Sequence, residues 1–147
     1  MPDMTIRLMG IEDYDAVTAL WNRTEGMGMN PHDDSRERIG LFLARNPGLC
    51  FVAEQDGAVI GAVLCGHDGR RAAIYHLAVD ERFRGQNIGR KLVASCCREL
   101  HRAGILKVSI VAYTDNEIGN AFWESVGFKH DDQLTMRRAA VADQINL

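Results

Sequence analysis

The chain has 147 residues, 46% of them hydrophobic and 25% charged, which suits one domain with a real core and leaves no room for a second. A formal net charge of -3 excludes a broadly basic nucleic-acid-binding surface, so any anion the protein holds is expected to be small. No run approaches the ~20 apolar residues of a membrane span, and the N-terminal MPDMTIRLMG lacks the basic start and apolar stretch of a signal peptide, so a cytoplasmic protein is expected.

Met4 to Met9 alternates weakly and reads as a first strand. Ile11 to Thr24 places Tyr14, Val17, Leu20 and Trp21 on one helical face, and Gly26, Gly28 and Pro31 end the helix. From Asp34, with Glu37 three residues on as in a capping box, a short second helix carries Ile39, Phe42 and Leu43 and stops at Asn46-Pro47. Leu49 to Glu54 and Ala58 to Cys65 are β-rich runs joined by Asp56-Gly57, a strong hairpin signal, and Arg71 to Val79 follows the turn at His67-Asp68-Gly69.

Next comes a helix marked by Ile88, Leu92, Cys96 and Leu100 and ending near Gly104, then Leu106 to Ala112 as a buried strand. Ile118 to Val126 reads as a last helix closed by Gly127, and Phe128 to Arg138 as a final strand. The order β-α-α-β-β-β-α-β-α-β predicts an α/β fold: one mixed, mostly antiparallel sheet with helices on both faces, a single domain over 1–138 and a loose polar tail over 139–147.

The four cysteines, Cys50, Cys65, Cys96 and Cys97, have no CxxC pairing and suggest a reducing compartment, with Cys96 as a small core residue. The histidines 32, 67, 76, 101 and 130 lack metal-ligand spacing, so no metal site is expected.

The segment RFRGQNIGRKL, Arg82 to Leu92, carries the most chemistry. A strand that feeds a Gly-rich turn into a helix aims several backbone N–H groups, with the helix dipole behind them, at one spot that attracts phosphate. Arg82, Arg84, Arg90 and Lys91 reverse the local charge there. A P-loop is excluded by the missing GK[ST], and a dinucleotide fingerprint by the missing GxGxxG.

Together with NEIGNAFWESVGF near the C-terminus and the order of elements, RGQNIG resembles the GNAT superfamily of N-acetyltransferases over almost the whole chain. The family pattern of Arg or Gln, two residues, Gly, one residue, then Gly or Ala falls on Arg84, Asn87 and Gly89, with Asn87 where Gly is usual. Asn is the non-glycine residue most tolerant of positive φ, so the turn keeps its shape. The resemblance implies that the backbone amides of Gln86, Asn87, Ile88, Gly89 and Arg90 hold the pyrophosphate of acetyl-CoA, with Arg84 and Gly85 also among the cofactor-binding residues, while Leu77, Ala78 and Val79 pair with its pantetheine arm like an added strand. It also implies direct attack of a primary amine, of a small molecule or peptide, in a ternary complex, by a monomer or homodimer. A CoA-binding module without turnover is the rival reading.

In the second motif the family commonly has Asn, six residues, then a Tyr that protonates the leaving thiolate. Asn116 matches, but Trp123 stands at the Tyr position, and an indole can pack and donate a hydrogen bond yet not give up its proton. On strand alternation Tyr75, Leu77 and Val79 share one face and Ile74, His76 and Ala78 the other. In the family the position of Tyr75 often faces the acyl group, so Tyr75 and Tyr113 are the catalytic candidates. His76 is chemically the more attractive base, but alternation turns it away from Tyr75, and a packed, hydrogen-bonded ring under a helix is the reading preferred over a catalytic one. Glu25, Met27, Met29, His32 and Asp33 lie in the segment that, by resemblance, covers the acceptor site.

Overall fold

A computed structural model describes residues 3–145. Five strands, β1 (Met4–Leu8), β2 (Phe51–Gln55), β3 (Ala58–His67), β4 (Ala72–Val79) and β5 (Val108–Ser109), lie in sheet order 1-2-3-4-5, antiparallel except for the β4–β5 pair. The β2–β3 hairpin turns at Asp56 (φ 53°) and Gly57 (φ 77°), two successive positive φ values that suit the right-handed twist of the flanking strands. β3 is the central strand, and its run from Ile60 to Gly66 is buried on both faces.

Helices cover the sheet on both sides. On one face α1 (Tyr14–Asn22) and α2 (Arg36–Arg45) bury Val17, Leu20, Trp21 and Ile39 against Val52, Ala62, Leu64 and Ala78. On the other α3 (Ile88–Arg102) buries Ile88, Leu92, Cys96 and Leu100, the residues its periodicity picks out, against Ala53, Ile60, Val63, Cys65 and Ile74. Phe122 and Trp123 of α4 (Glu117–Ser125) pack on that same cluster. Among the described residues no helix is long and apolar enough to cross a membrane.

Three expectations need correction. α2 is capped by Ser35, whose hydroxyl accepts from the Arg38 N–H at 3.2 Å, while Asp34 is buried and turned elsewhere. The stretch 106–112 is a strand only at Val108–Ser109, and Leu106 and Val111 are exposed. Residues 128–138 form no strand, because β5 is too short to template one; the segment turns at Asp131 instead. In the tail, Val141–Gln144 forms an exposed 3-10 turn, and residues 146–147 lie outside the described part of the chain.

The alternation read along β4 also fails, and here the cause is a bulge. Ala62 pairs with Ala78 and Leu64 with Tyr75, so Val63 alone faces both His76 and Leu77. The extra residue is His76, at φ 51°. Tyr75 and His76 consecutively take the α1/α2 face: Tyr75 meets Phe42 edge-on and His76 meets Trp21. Leu77 and Val79 then join Ile74 on the α3 face.

Candidate functional site

β5 pairs with β4 only at Ala72 and Ala73 and then leaves it. The edge of β4 from Ile74 to Val79 therefore has no strand partner, and a cleft of about 370 Å³ opens beside it. Its walls are the β4 residues Ile74 and His76 to Val79, the turn into α3, Thr24 to Met27 after α1, Ile110 to Ala112, and the α4 residues Phe122 and Trp123.

At the turn, Asp80 fixes the chain as it leaves β4. Its carboxylate accepts from the Arg82 backbone N–H at 3.0 Å and pairs with the guanidinium groups of Arg82 and Arg23, both at 3.0 Å. The Arg82 guanidinium, above all, holds this carboxyl far below the usual aspartate range. Arg82 is thereby committed to Asp80, and Lys91 faces a separate groove with Arg98, so of the four cations only Arg84 and Arg90 line the cleft.

Asn87 sits at φ 62°, ψ 19°, in the left-handed region expected for it. That conformation carries a consequence for the helix it opens. The side chain of Asn87 makes no capping hydrogen bond, whereas α2 is capped by Ser35 and α4 by Asn116, whose Oδ1 accepts from the Gly119 N–H at 3.0 Å. Among the described residues no group accepts from the backbone N–H groups of residues 85–90, so the α3 N-terminus presents free donors to the cleft. Gly89 serves packing more than the turn: a Cβ there would lie 3.1 Å from the Phe122 ring, so its lack of a side chain lets α4 approach α3.

Of the sequence-level candidates, Leu77, Ala78, Val79, Arg84, Gly85, Asn87, Ile88, Gly89, Arg90, Asn116 and Trp123 come together on the cleft wall, and Gln86 is exposed beside it. Asn116 also lies against Gly26, where a Cβ would meet its Nδ2 at 2.7 Å, and Trp123 stacks edge-on between Phe122 and Phe128, at 5.1 and 5.0 Å between ring centroids. Tyr75 and Tyr113 are not brought to the cleft. Tyr75 is half exposed beside Phe42, and the Tyr113 hydroxyl rests on the backbone of Gly28. Glu25 and Met27 line the cleft, while His32 and Asp33 are exposed.

The groups the sequence did not place are Trp21 and Asp34. Trp21, fully buried, donates from Nε1 to the His76 carbonyl at 2.9 Å, which partners a backbone oxygen at the bulge. Asp34 accepts from His76 Nε2 at 2.8 Å and from the Asn30 N–H at 2.8 Å. A bulge was the missing signal, and nothing in the apolar run AIYHLAV announces one. No cysteine is poised as a nucleophile, since none of the four free thiols lines the cleft: burial pushes the Cys50 thiol up to about 12, Cys96 is raised by its hydrogen bond with Cys65 and by burial, Cys97 is raised by burial, and Cys65, lowered by that same hydrogen bond, is fully buried.

A splayed mixed sheet, a strand edge left open at the splay, and an uncapped helix N-terminus beside it define the N-acyltransferase class of α/β fold. The chain belongs to the acetyltransferase (GNAT) family, whose model matches residues 14–128. Solved structures agree on the fold. An aminoglycoside N-acetyltransferase, AAC(6')-Iy, in complex with CoA, is 19% identical with TM-score 0.76, covering 95% of this chain and 96% of that one. The PaiA N-acetyltransferase of Thermoplasma acidophilum, in complex with coenzyme A, is 20% identical with TM-score 0.77, over 88% and 92% of the two chains. Ard1 of Thermoplasma volcanium is 23% identical with TM-score 0.74, over 84% and 81%.

Proposed function

We propose that the protein transfers an acetyl group from acetyl-CoA to a primary amine by direct attack in a ternary complex. The observation that carries this reading is the set of free amide donors at the start of α3, facing a cleft whose other wall is an unpaired strand edge. The cosubstrate is acetyl-CoA, in keeping with the family and with the CoA held by two of the structural neighbours. Its pyrophosphate takes the amides of residues 85–90, with Arg84 and Arg90 adding charge, and its pantetheine arm runs along Leu77 to Val79. Backbone donors and positioning supply most of the rate, since the cleft offers no activated nucleophile for a covalent intermediate. The acceptor is a small-molecule or peptide amine, entering beside Glu25 and Met27. Four free thiols support a cytoplasmic setting.

Calorimetry with acetyl-CoA and with acetyl-pantetheine, which lacks the pyrophosphate, tests the assignment. Acetyl-CoA should bind and raise the melting temperature, because the amide turn exists only in the folded state, and acetyl-pantetheine should bind at least about a hundredfold more weakly. Equal affinities would move the phosphates away from α3. Absence of heat and of any melting shift with acetyl-CoA would refute the cosubstrate.

A further inference from the structure

The cleft wall contains few groups able to take a proton. Among its side chains Glu25, His76, Arg84 and Arg90 are ionisable; the two arginines stay charged, and Glu25 is exposed with no hydrogen bond holding it. His76 differs in being held at every point. Its carbonyl is fixed by the Trp21 indole, its ring stands edge-on to that indole at 5.0 Å, and its Nε2 is 2.8 Å from Asp34 Oδ1. A carboxylate only accepts, so Nε2 carries the proton and the Nδ1 lone pair is left free. No described group donates to Nδ1, and the side chain keeps 20% exposure.

Asp34 is just as fixed. Its second oxygen accepts from the Asn30 N–H, its own N–H donates to the Asn30 carbonyl at 2.9 Å, and its carbonyl accepts from the Tyr14 hydroxyl at 2.6 Å. The histidine itself sits at positive φ, a conformation that costs a non-glycine residue energy and that clusters at functional sites. Without this bulge, alternation would turn the ring away from Tyr75 and off the α1/α2 face.

We propose that His76 Nδ1 is the base that receives the proton of the acceptor amine, with Asp34 as the residue that positions the ring. The proposal rests on the acetyl-transfer reading above. The neutral amine attacks the thioester carbonyl carbon and forms the C–N bond; its surplus proton passes to Nδ1; the C–S bond breaks with its electron pair on sulfur; and the imidazolium returns the proton through solvent to the CoA thiolate. Asp34 keeps the ring in the accepting tautomer. The other charged and titratable groups lining the same cleft are Glu25 in the loop after α1 and Arg84 and Arg90 at the start of α3; Tyr75 precedes the ring on β4, and Tyr14 of α1 bonds the Asp34 carbonyl.

The test uses the full chain with acetyl-CoA, and glycinamide and n-butylamine as acceptor probes. It compares the parent with His76→Asn, chosen because Asn tolerates positive φ, and with Asp34→Asn. Acetyl-CoA binding by calorimetry reports separately on the transferase reading, and a parent that fails to bind overturns that reading. His76→Asn should lose about a hundredfold or more in kcat and bind acetyl-CoA as the parent does. Asp34→Asn should lower kcat with acetyl-CoA affinity unchanged, because the ring loses its fixed orientation. Nitrogen NMR should show the neutral ring protonated at Nε2 in the parent, with mixed tautomers in Asp34→Asn, a readout that stands whether or not either probe is acetylated. A His76→Asn kcat within tenfold of the parent, or a parent ring protonated at Nδ1, would overturn the proposal.

Discussion

Replacing Trp21 by Phe removes the indole donor of the His76 carbonyl while keeping an aromatic ring in place. Trp21 is 0% exposed, so water cannot easily take over the 2.9 Å bond. An unpartnered buried carbonyl costs about 1–3 kcal/mol. The ring is smaller by about 40 Å³, which at roughly 24 cal/mol per Å³ of residual cavity adds about 1 kcal/mol. The expected loss is about 3 kcal/mol in urea unfolding, or a melting point lower by about 6–12 °C for a domain of this size. A Trp isostere with sulfur in place of the indole N–H, put at position 21, separates the two parts: it keeps the shape and should lose only about 2 kcal/mol. If Trp21→Phe costs less than about 1 kcal/mol, the bulge carbonyl has another partner and its dependence on Trp21 is refuted.

Other outcomes follow from the same geometry. Asp80 has its folded-state pKa depressed, so its contribution is present above the unfolded aspartate value near ~3.9 and is lost as pH falls below it; the melting-point gap between the parent and Asp80→Asn should therefore be widest near neutrality and close in acid, and a constant gap would count against the ion pair. Trp123→Phe should keep most of kcat, because the indole packs between Phe122 and Phe128 and has no proton to give; a loss above about a hundredfold with acetyl-CoA affinity intact would contradict this. An α-amine should be preferred over a lysine-like amine by about 3.5 kcal/mol at pH 7 in free-base availability, a difference that kcat/KM should show shrinking as pH rises.

Much of this fold was legible because its signals are local. Asp56-Gly57 announces its hairpin, the spacing of Ile88, Leu92, Cys96 and Leu100 its helix, and Asn87 its left-handed turn. The turn into α3 was legible for the same reason: one contiguous segment supplies it and its amides. The surroundings of His76 were not. They depend on Asp34, 42 positions away, and on a bulge whose trace is a register shift between two strands. A single inserted residue inverts the side-chain parity of everything beyond it, so reading AIYHLAV by strict alternation put Tyr75 with Leu77 and separated it from His76. Likewise Ser35 and Asp34 are both good caps by type, and only the tertiary demand of His76 assigns them different tasks.

The bulge also bears on how such a protein could change over generations. Losing the His76 codon alone would restore a regular β3–β4 ladder with Tyr75 still paired to Leu64 and Ala78 to Ala62. Such a deletion removes a strained residue and leaves both apolar clusters without losing a member, so a lineage could keep the fold, and the amide turn at α3, while discarding the ring in one step. Regaining it would need an insertion at one site in the middle of a paired strand. Losing the ring is thus a short path, and regaining it is a long one.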